Sequence, residues 1–229
     1  MKNALESKEL GAHRNILAVA ERLFSEIGFE KTTVSDIARE LQMSPANIYR
    51  FFSAKADISG AVGRRLLAVI EATGDGIVKN SASARDKLRA LLAMIASANE
   101  ERFLSNRKLH DLLETAFSDN WPIARDHIEK ITEFMGEIIS QGNRDGDFAV
   151  GDCELAAILV RSASIQFWHP CRMVEDAQNP EPTLDDMVDF CLAAFAQGAP
   201  VMKLQCPLYS AGSTPQRDMT AASQIFAAR

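Results

Sequence analysis

Between residues 11 and 27 the apolar positions fall at Ile16, Leu17, Ala20, Leu23, Phe24 and Ile27. Arg14, Glu21, Arg22 and Glu26 lie elsewhere on the wheel, the pattern of a helix with one buried face. Gly28 follows where the end of a helix wants a left-handed residue. A second helix is predicted from Val34 to about Leu41, capped by Thr33 with Asp36 three positions on. A third runs from Pro45 to about Phe52, with Ser44 as cap, Pro45 in the first turn, and Ile48 and Phe52 facing inward. Only Gln42 and Met43 separate these two short helices, so they must cross steeply, which is helix-turn-helix geometry.

Ser53 is the expected cap of a long fourth helix, Ala54 to Val78, carrying Ile58, Val62, Leu66, Val69 and Ile70. Gly60, Gly63, Gly74 and Gly76 weaken it, and a bend or an early end is expected there. Helical periodicity returns over about 85–102, 106–118, 121–141, 152–168 and 184–197. Asn120 with Pro122, Asp152, and Thr183 with Asp186 serve as start signals. From Lys203 the chain is weakly periodic and is expected to be extended or mobile. The predicted fold class is all-α. A helix-turn-helix head at 1–56 joins through the long helix to a larger helical domain at 57–202, followed by a tail at 203–229.

Composition narrows the function. Apolar residues make up 47% of the 229, aromatics only 7%, and no apolar run approaches the roughly 20 residues of a membrane span. The N-terminus shows no export signal, so a cytoplasmic protein without a membrane partner is expected. Cys153, Cys171, Cys191 and Cys206 stand far apart, which argues against both a zinc site and a disulfide framework. His169 and Cys171, with His110 or His127, are a poor metal set, and no metal or cofactor is expected. Neither a glycine-rich phosphate loop after a strand nor a G-x-S-x-G is found, so an enzyme is not expected. The net charge of −6 is unevenly placed: residues 1–65 carry 10 Lys and Arg against 8 Asp and Glu, residues 66–229 carry 15 against 23. An acidic body with a mildly basic head suggests that the head alone meets a polyanion.

In the third helix Ala46, Asn47, Tyr49 and Arg50 lie off the Ile48/Phe52 stripe. Asn47 suits adenine N6/N7, Arg50 guanine O6/N7 or a phosphate, Ala46 a thymine methyl, and the Tyr49 hydroxyl a phosphate. Spacing alone serves equally well a plain amphipathic helix whose polar face is merely wet. Lys55 favours nucleic acid, because a cation in the first turn of a helix makes better sense if a phosphate binds the free amides of residues 54–56. Thr33 offers a second helix N-terminus, although it is a good cap with no DNA at all.

Over residues 11–66 the chain resembles the TetR family of bacterial transcription regulators. Gly-Phe, Thr-Thr-Val, Asp-Ile-Ala, Ser-Pro, Ile-Tyr-Arg-Phe-Phe and Ser-x-Lys arrive in the family's order after an amphipathic helix. The resemblance implies phosphate contacts by Thr33, Ser44, Tyr49 and Lys55, with Pro45, Ala46, Asn47 and Arg50 facing the groove. Two departures stand out: Gln42 replaces a frequent Gly in the turn, and Ala56 a frequent acid after the lysine. Gln42 raises the cost of any positive φ there. The resemblance further implies a homodimeric regulator on double-stranded, inverted-repeat DNA, with a ligand-binding and dimerisation domain in the remaining 163 residues. The helices near 152–168 and 184–197, rich in apolar residues, suit pairing with their symmetry mates, or else burial within one subunit. A small hydrophobic or amphipathic effector is expected between helices that carry His110, Leu113, Phe117, Trp121, Phe134, Met135, Gln166, Phe167 and Trp168, with His110 or Gln166 as polar anchor. The competing class is a helical small-molecule carrier or sensor with no specific DNA binding.

Overall fold

The structure is a computed structural model that describes residues 2–168 and 182–197, with the side chains of 2–8 and 168 left aside. The expectations placed on His169, Cys171 and the tail at 203–229 lie outside the described residues. Among the described residues all regular structure is helical: α1 (Lys2–Ile27), α2 (Val34–Glu40), α3 (Pro45–Ile48), α4 (Lys55–Lys79), α5 (Ala84–Ser105), α6 (Arg107–Ser118), α7 (Pro122–Asp145), α8 (Cys153–Trp168) and α9 (Leu184–Ala196). No helix among them is long and apolar enough to cross a membrane.

Most starts and stops follow the local chemistry. Gly28 takes φ 93° and ends α1, its amide bonding Phe24 O at 3.0 Å. Thr33 and Asp36 form a reciprocal capping box at α2, and Thr183 and Asp186 form another at α9. Ser44 Oγ accepts from the Asn47 amide at 3.3 Å with Pro45 in the first turn of α3, and Asp152 accepts from the Leu155 amide at 3.0 Å.

Five expectations need correcting. α1 begins at Lys2, not Gly11, because Ala, Leu, Glu and Lys carry helix without needing a buried face. α3 ends at Ile48, not Phe52; the chain continues as tight hydrogen-bonded turns, with Phe51 N and Phe52 N both donating to Ile48 O, that still carry Phe52 inward. α4 is capped at Ala54, not Ser53, its free amide satisfied by Asp57 Oδ2 at 3.0 Å. α4 also runs unbroken past all four glycines to Lys79. Two of these, Gly63 and Gly74, are buried where α7 crosses: a Cβ would meet Ile123 Cδ1 at 2.5 Å and the Phe134 ring at 2.9 Å. At α7 the cap position is Trp121, not Asn120, whose φ of 54° turns the chain into it.

The core divides along α4. Ile16, Ala20, Leu23, Phe24, Ile37, Ile48 and Phe52 form the head cluster together with Ile58 and Val62 of α4 and Leu109 and Leu112 of α6. Further along, Ile70 joins a larger cluster of α5, α7, α8 and α9 built on Leu88, Leu91, Ile95, Phe134, Ile138, Val160 and Leu192. Leu67, Leu113, Ala116 and Ile123 form a smaller group between the two. Each of α8 and α9 therefore buries one face within the subunit. Their other faces leave Leu159 at 52% and Phe190 at 75% exposure, with Ile158 and Ile165 also open.

Candidate nucleic-acid interface

The short α2–α3 unit is held rigid from three directions. Besides its two caps, the turn between the helices closes as a Schellman motif: Met43 N donates to Ala38 O at 2.8 Å and Gln42 N to Arg39 O at 3.1 Å. That motif demands a left-handed residue, and Gln42 supplies it at φ 53°. Behind the unit, His13 of α1 stacks on Phe52 with ring centres 4.5 Å apart.

On this frame Thr33, Ser44, Pro45, Ala46, Tyr49 and Arg50 are exposed, and Asn47 and Lys55 half-buried. Asn47 and Arg50 lie side by side, Arg50 Nη1 reaching Asn47 Oδ1 at 3.5 Å. Among the described residues Arg50 meets no carboxylate at ion-pair distance, whereas the head's other arginines do: Arg22 with Glu26 and Glu40, Arg39 with Asp36, and Arg65 with Glu21 (Arg14 apart). Hydrogen bonds from Thr33, then Arg39, hold the Asp36 carboxyl at about 2, so it is ionised and spent on the cap at any ordinary pH.

Lys55 differs from its expected setting. Its ammonium donates to Glu30 O at 2.9 Å, and Asp57 supplies a carboxylate in the same first turn. A lysine there is thus accounted for without phosphate, and the Ala54 amide expected to be free is taken by Asp57. Sequence reasoning missed His13, which lines a hollow of about 440 Å³ with Glu9, Leu10, Arg50 and Phe51 beside α3. Periodicity puts His13 on the first helix, but only the packing of α1 against the turns after α3 brings its ring to Phe52.

The nine residues expected around an effector fall into three places. His110, fully buried, sits edge-on to Phe103 at 5.0 Å; Leu113 and Phe117 pack in the small middle cluster, and Trp121 meets the ring of Phe29 at 6.5 Å across the seam with the head. Phe134 and Met135 lie in the main core. Gln166 and Phe167 are half-buried near the end of α8, whose last residue is Trp168. None of the nine lines the open groove of about 970 Å³ whose floor is Ile128, Gly136 and Ala157 and whose rim includes Arg125, Glu133, Arg144 and Arg161.

A polar set, two members buried and two half-buried, does occupy the body. His127 Nδ1 lies 2.7 Å from Glu71 Oε1, and Arg102 Nη1 donates to Asn99 Oδ1 at 2.9 Å. His127 and Asn99 are 3% and 5% exposed. Burial pushes the His127 imidazole below its ordinary value, Glu71 opposes the shift, and the charge of Arg102 adds to it. At neutral pH the ring is uncharged. No local signal marks this set, because its members come from three helices.

Residues 16–62 match the family described as bacterial regulatory proteins, tetR family, and residues 84–188 match the tetracyclin repressor-like C-terminal domain. The chain is 23% identical over 179 residues to YhgD, a helix-turn-helix-type transcriptional regulator of Bacillus subtilis, covering 74% of this chain and 86% of that one. Among solved structures it is similar to a TetR/AcrR-family regulator of Thermobifida fusca, at 22% identity and a TM-score of 0.58 over 82% of this chain and 98% of that one. It is also similar to the regulator FadR of Bacillus subtilis solved with stearoyl-CoA, at 18% identity and a TM-score of 0.56 over 81% and 98%.

Proposed function

Because the chain belongs to the TetR family of bacterial regulatory proteins, a family of helix-turn-helix transcriptional regulators, we propose that it is a homodimeric repressor released from an inverted-repeat operator by a small apolar or amphipathic effector. The observation that carries the reading is the surface of α3 and the turn after it, where half-buried Asn47 and exposed Tyr49 and Arg50 sit on a unit braced by two caps and a Schellman turn. Asn47 and Arg50 read base edges, Ala46 and Pro45 allow close approach, and Thr33, Ser44, Tyr49 and Lys55 fix the phosphates. For Lys55 this role means exchanging or sharing its bond to Glu30 O.

The exposed Leu159, Ile158 and Ile165 of α8 and Phe190 of α9 favour self-association, because large apolar side chains left open on two helices suit an interface. A two-fold then sets two recognition helices in successive major grooves, about 34–36 Å apart. That FadR was solved with stearoyl-CoA supports an effector with an apolar chain here. Its binding acts by favouring one spacing of the heads over another, which is the only way a ligand shifts such an equilibrium.

A mobility shift with fragments from upstream of the protein's own gene, alongside a genomic pool, tests the reading. Asn47→Ala and Arg50→Ala should relax preference at particular bases, losing about 1–3 kcal/mol per bidentate pair. Lys55→Ala and Tyr49→Phe should weaken all DNA alike, the lysine change lowering the log–log salt slope by about 0.9 per subunit. No specific shift at low salt with any fragment would favour the carrier class instead.

A further inference from the structure

Glu71 of α4, Asn99 and Arg102 of α5, and His127 of α7 form a polar set in the body, apart from the buried Lys87, His110 and Ser164. Buried polar groups are normally matched to one another. Glu71 and His127 are: a neutral imidazole and a carboxylate share one hydrogen bond. Arg102 is not. Its guanidinium carries five N–H donors, and its bond among the described residues is one to the neutral oxygen of Asn99. No carboxylate of the described residues lies within ion-pair distance of it. The more exposed Arg22, Arg64, Arg89 and Arg107 each have such a partner. Of the carboxylates near in space or sequence, Glu71 is engaged by His127, and Glu100 and Glu101 are exposed to solvent. Desolvation pulls the guanidinium below its usual range, and the charge of Glu101 only partly opposes it.

We propose that this set is the polar end of the effector site, and that Arg102 takes the carboxylate head of an amphipathic monoanion. The inference rests on the effector reading above and assigns its chemistry. The planar fork of Arg102 matches a carboxylate in two parallel hydrogen bonds. Phe117, edge-on to His127 at 6.2 Å, leads from the polar set into the apolar group of Leu67, Leu113, Ala116 and Ile123, which suits a hydrocarbon body. Glu71, still 33% exposed, opens the set toward solvent and disfavours a second negative charge on the ligand. The acidic balance of the whole body does not oppose this, because the charge that matters is the local one.

The test uses the full chain with decanoate, decanol and decylamine, read by tryptophan fluorescence and by thermal unfolding. Decanoate should bind the wild type, and Arg102→Gln should weaken it about 10- to 100-fold while changing decanol by no more than about twofold. Arg102→Lys, which keeps the charge but not the fork, should fall between the two. Without ligand, Arg102→Gln should melt no lower than the wild type, because it removes a desolvated charge; an arginine that only braces the fold would melt lower. If the wild type binds these amphiphiles and Arg102→Gln takes decanoate equally well, or loses decanol as much as decanoate, the carboxylate assignment is overturned and the effector reading stands. If Arg102→Gln does not fold, Arg102→Lys decides: decanoate and decanol weakened alike count against the assignment. Should none of the three alter the fluorescence or melting of the wild type, the assignment and the apolar-effector reading fall together.

Discussion

At Gln42 the backbone takes φ 53°, a conformation that costs a residue with a Cβ about 1–2 kcal/mol. The cost is tolerated because the Schellman bonds from Met43 and Gln42 fix the angle between α2 and α3. Gln42→Gly should therefore stabilise the protein by about 0.5–1 kcal/mol after the glycine's own entropy loss, raising the melting temperature by ~1–4 °C. A lower melting temperature would show that the exposed side chain compensates the strain. His127 makes a second prediction at this scale. Its folded-state value lies below the ordinary 6.5 of the unfolded chain, so as pH falls through 6.5 the unfolded state takes up a proton first. Stability from this group is fully present above that pH and is lost on acidification until the folded ring also protonates. Melting curves from pH 7 to pH 5 should fall more steeply for the wild type than for His127→Asn; parallel curves would refute the assignment.

Helix α4 shows how packing overrides propensity. Four glycines in 25 residues predict weakness, yet Gly63 and Gly74 are where α7 approaches, while a Cβ at Gly60 or Gly76 would meet nothing within 4 Å. The substitutions should accordingly have opposite signs. Gly74→Ala forces the Phe134 ring to move and should cost about 1–3 kcal/mol. Gly76→Ala, exposed and unobstructed, should gain about 0.5–1 kcal/mol. Denaturant titration of the two variants checks this, and equal effects would mean that the α4–α7 crossing is looser than described. The far end of α4 is tied down by Lys87, 3% exposed, which donates to Val78 O at 2.8 Å and to Gln141 Oε1 at 2.7 Å. Periodicity puts Lys87 on a helix; it says nothing of a buried lysine closing another helix's end.

For the whole molecule the decisive element is α6. Leu109 and Leu112 complete the head's core while Leu113 and Ala116 pack toward the body, so one helix belongs to both. Lys108 Nζ donates to Glu26 O, and Arg64 pairs with Asp126 at 2.8 Å, tying α6 to α1 and α4 to α7. Head and body should thus unfold together. Leu112→Ala, which empties a fully buried site, should cost about 2–5 kcal/mol and shift the circular-dichroism and tryptophan-fluorescence transitions by the same amount. A head that melts separately in the variant would contradict a shared core.

What the chain determined locally is extensive: the order of its helices, the caps at Thr33, Ser44, Asp152 and Thr183, the stop at Gly28, and the steep crossing of α2 and α3. Each rests on interactions within a few residues, through period, dihedral preference or a side chain bonding its own backbone turn, and such terms are written in the sequence. Tertiary structure decided the rest. It decided that α4 runs through its glycines, since Ile123 and Phe134 lie about sixty residues away. It gave Lys55 a partner in Glu30 O and dispersed the nine apolar and polar residues of the expected pocket over three places. It also brought Arg102 near His127, with no carboxylate of the described residues at ion-pair distance from the guanidinium. Burial and charge compensation depend on which distant segments meet, and periodicity along one helix carries no information about the side chains of another.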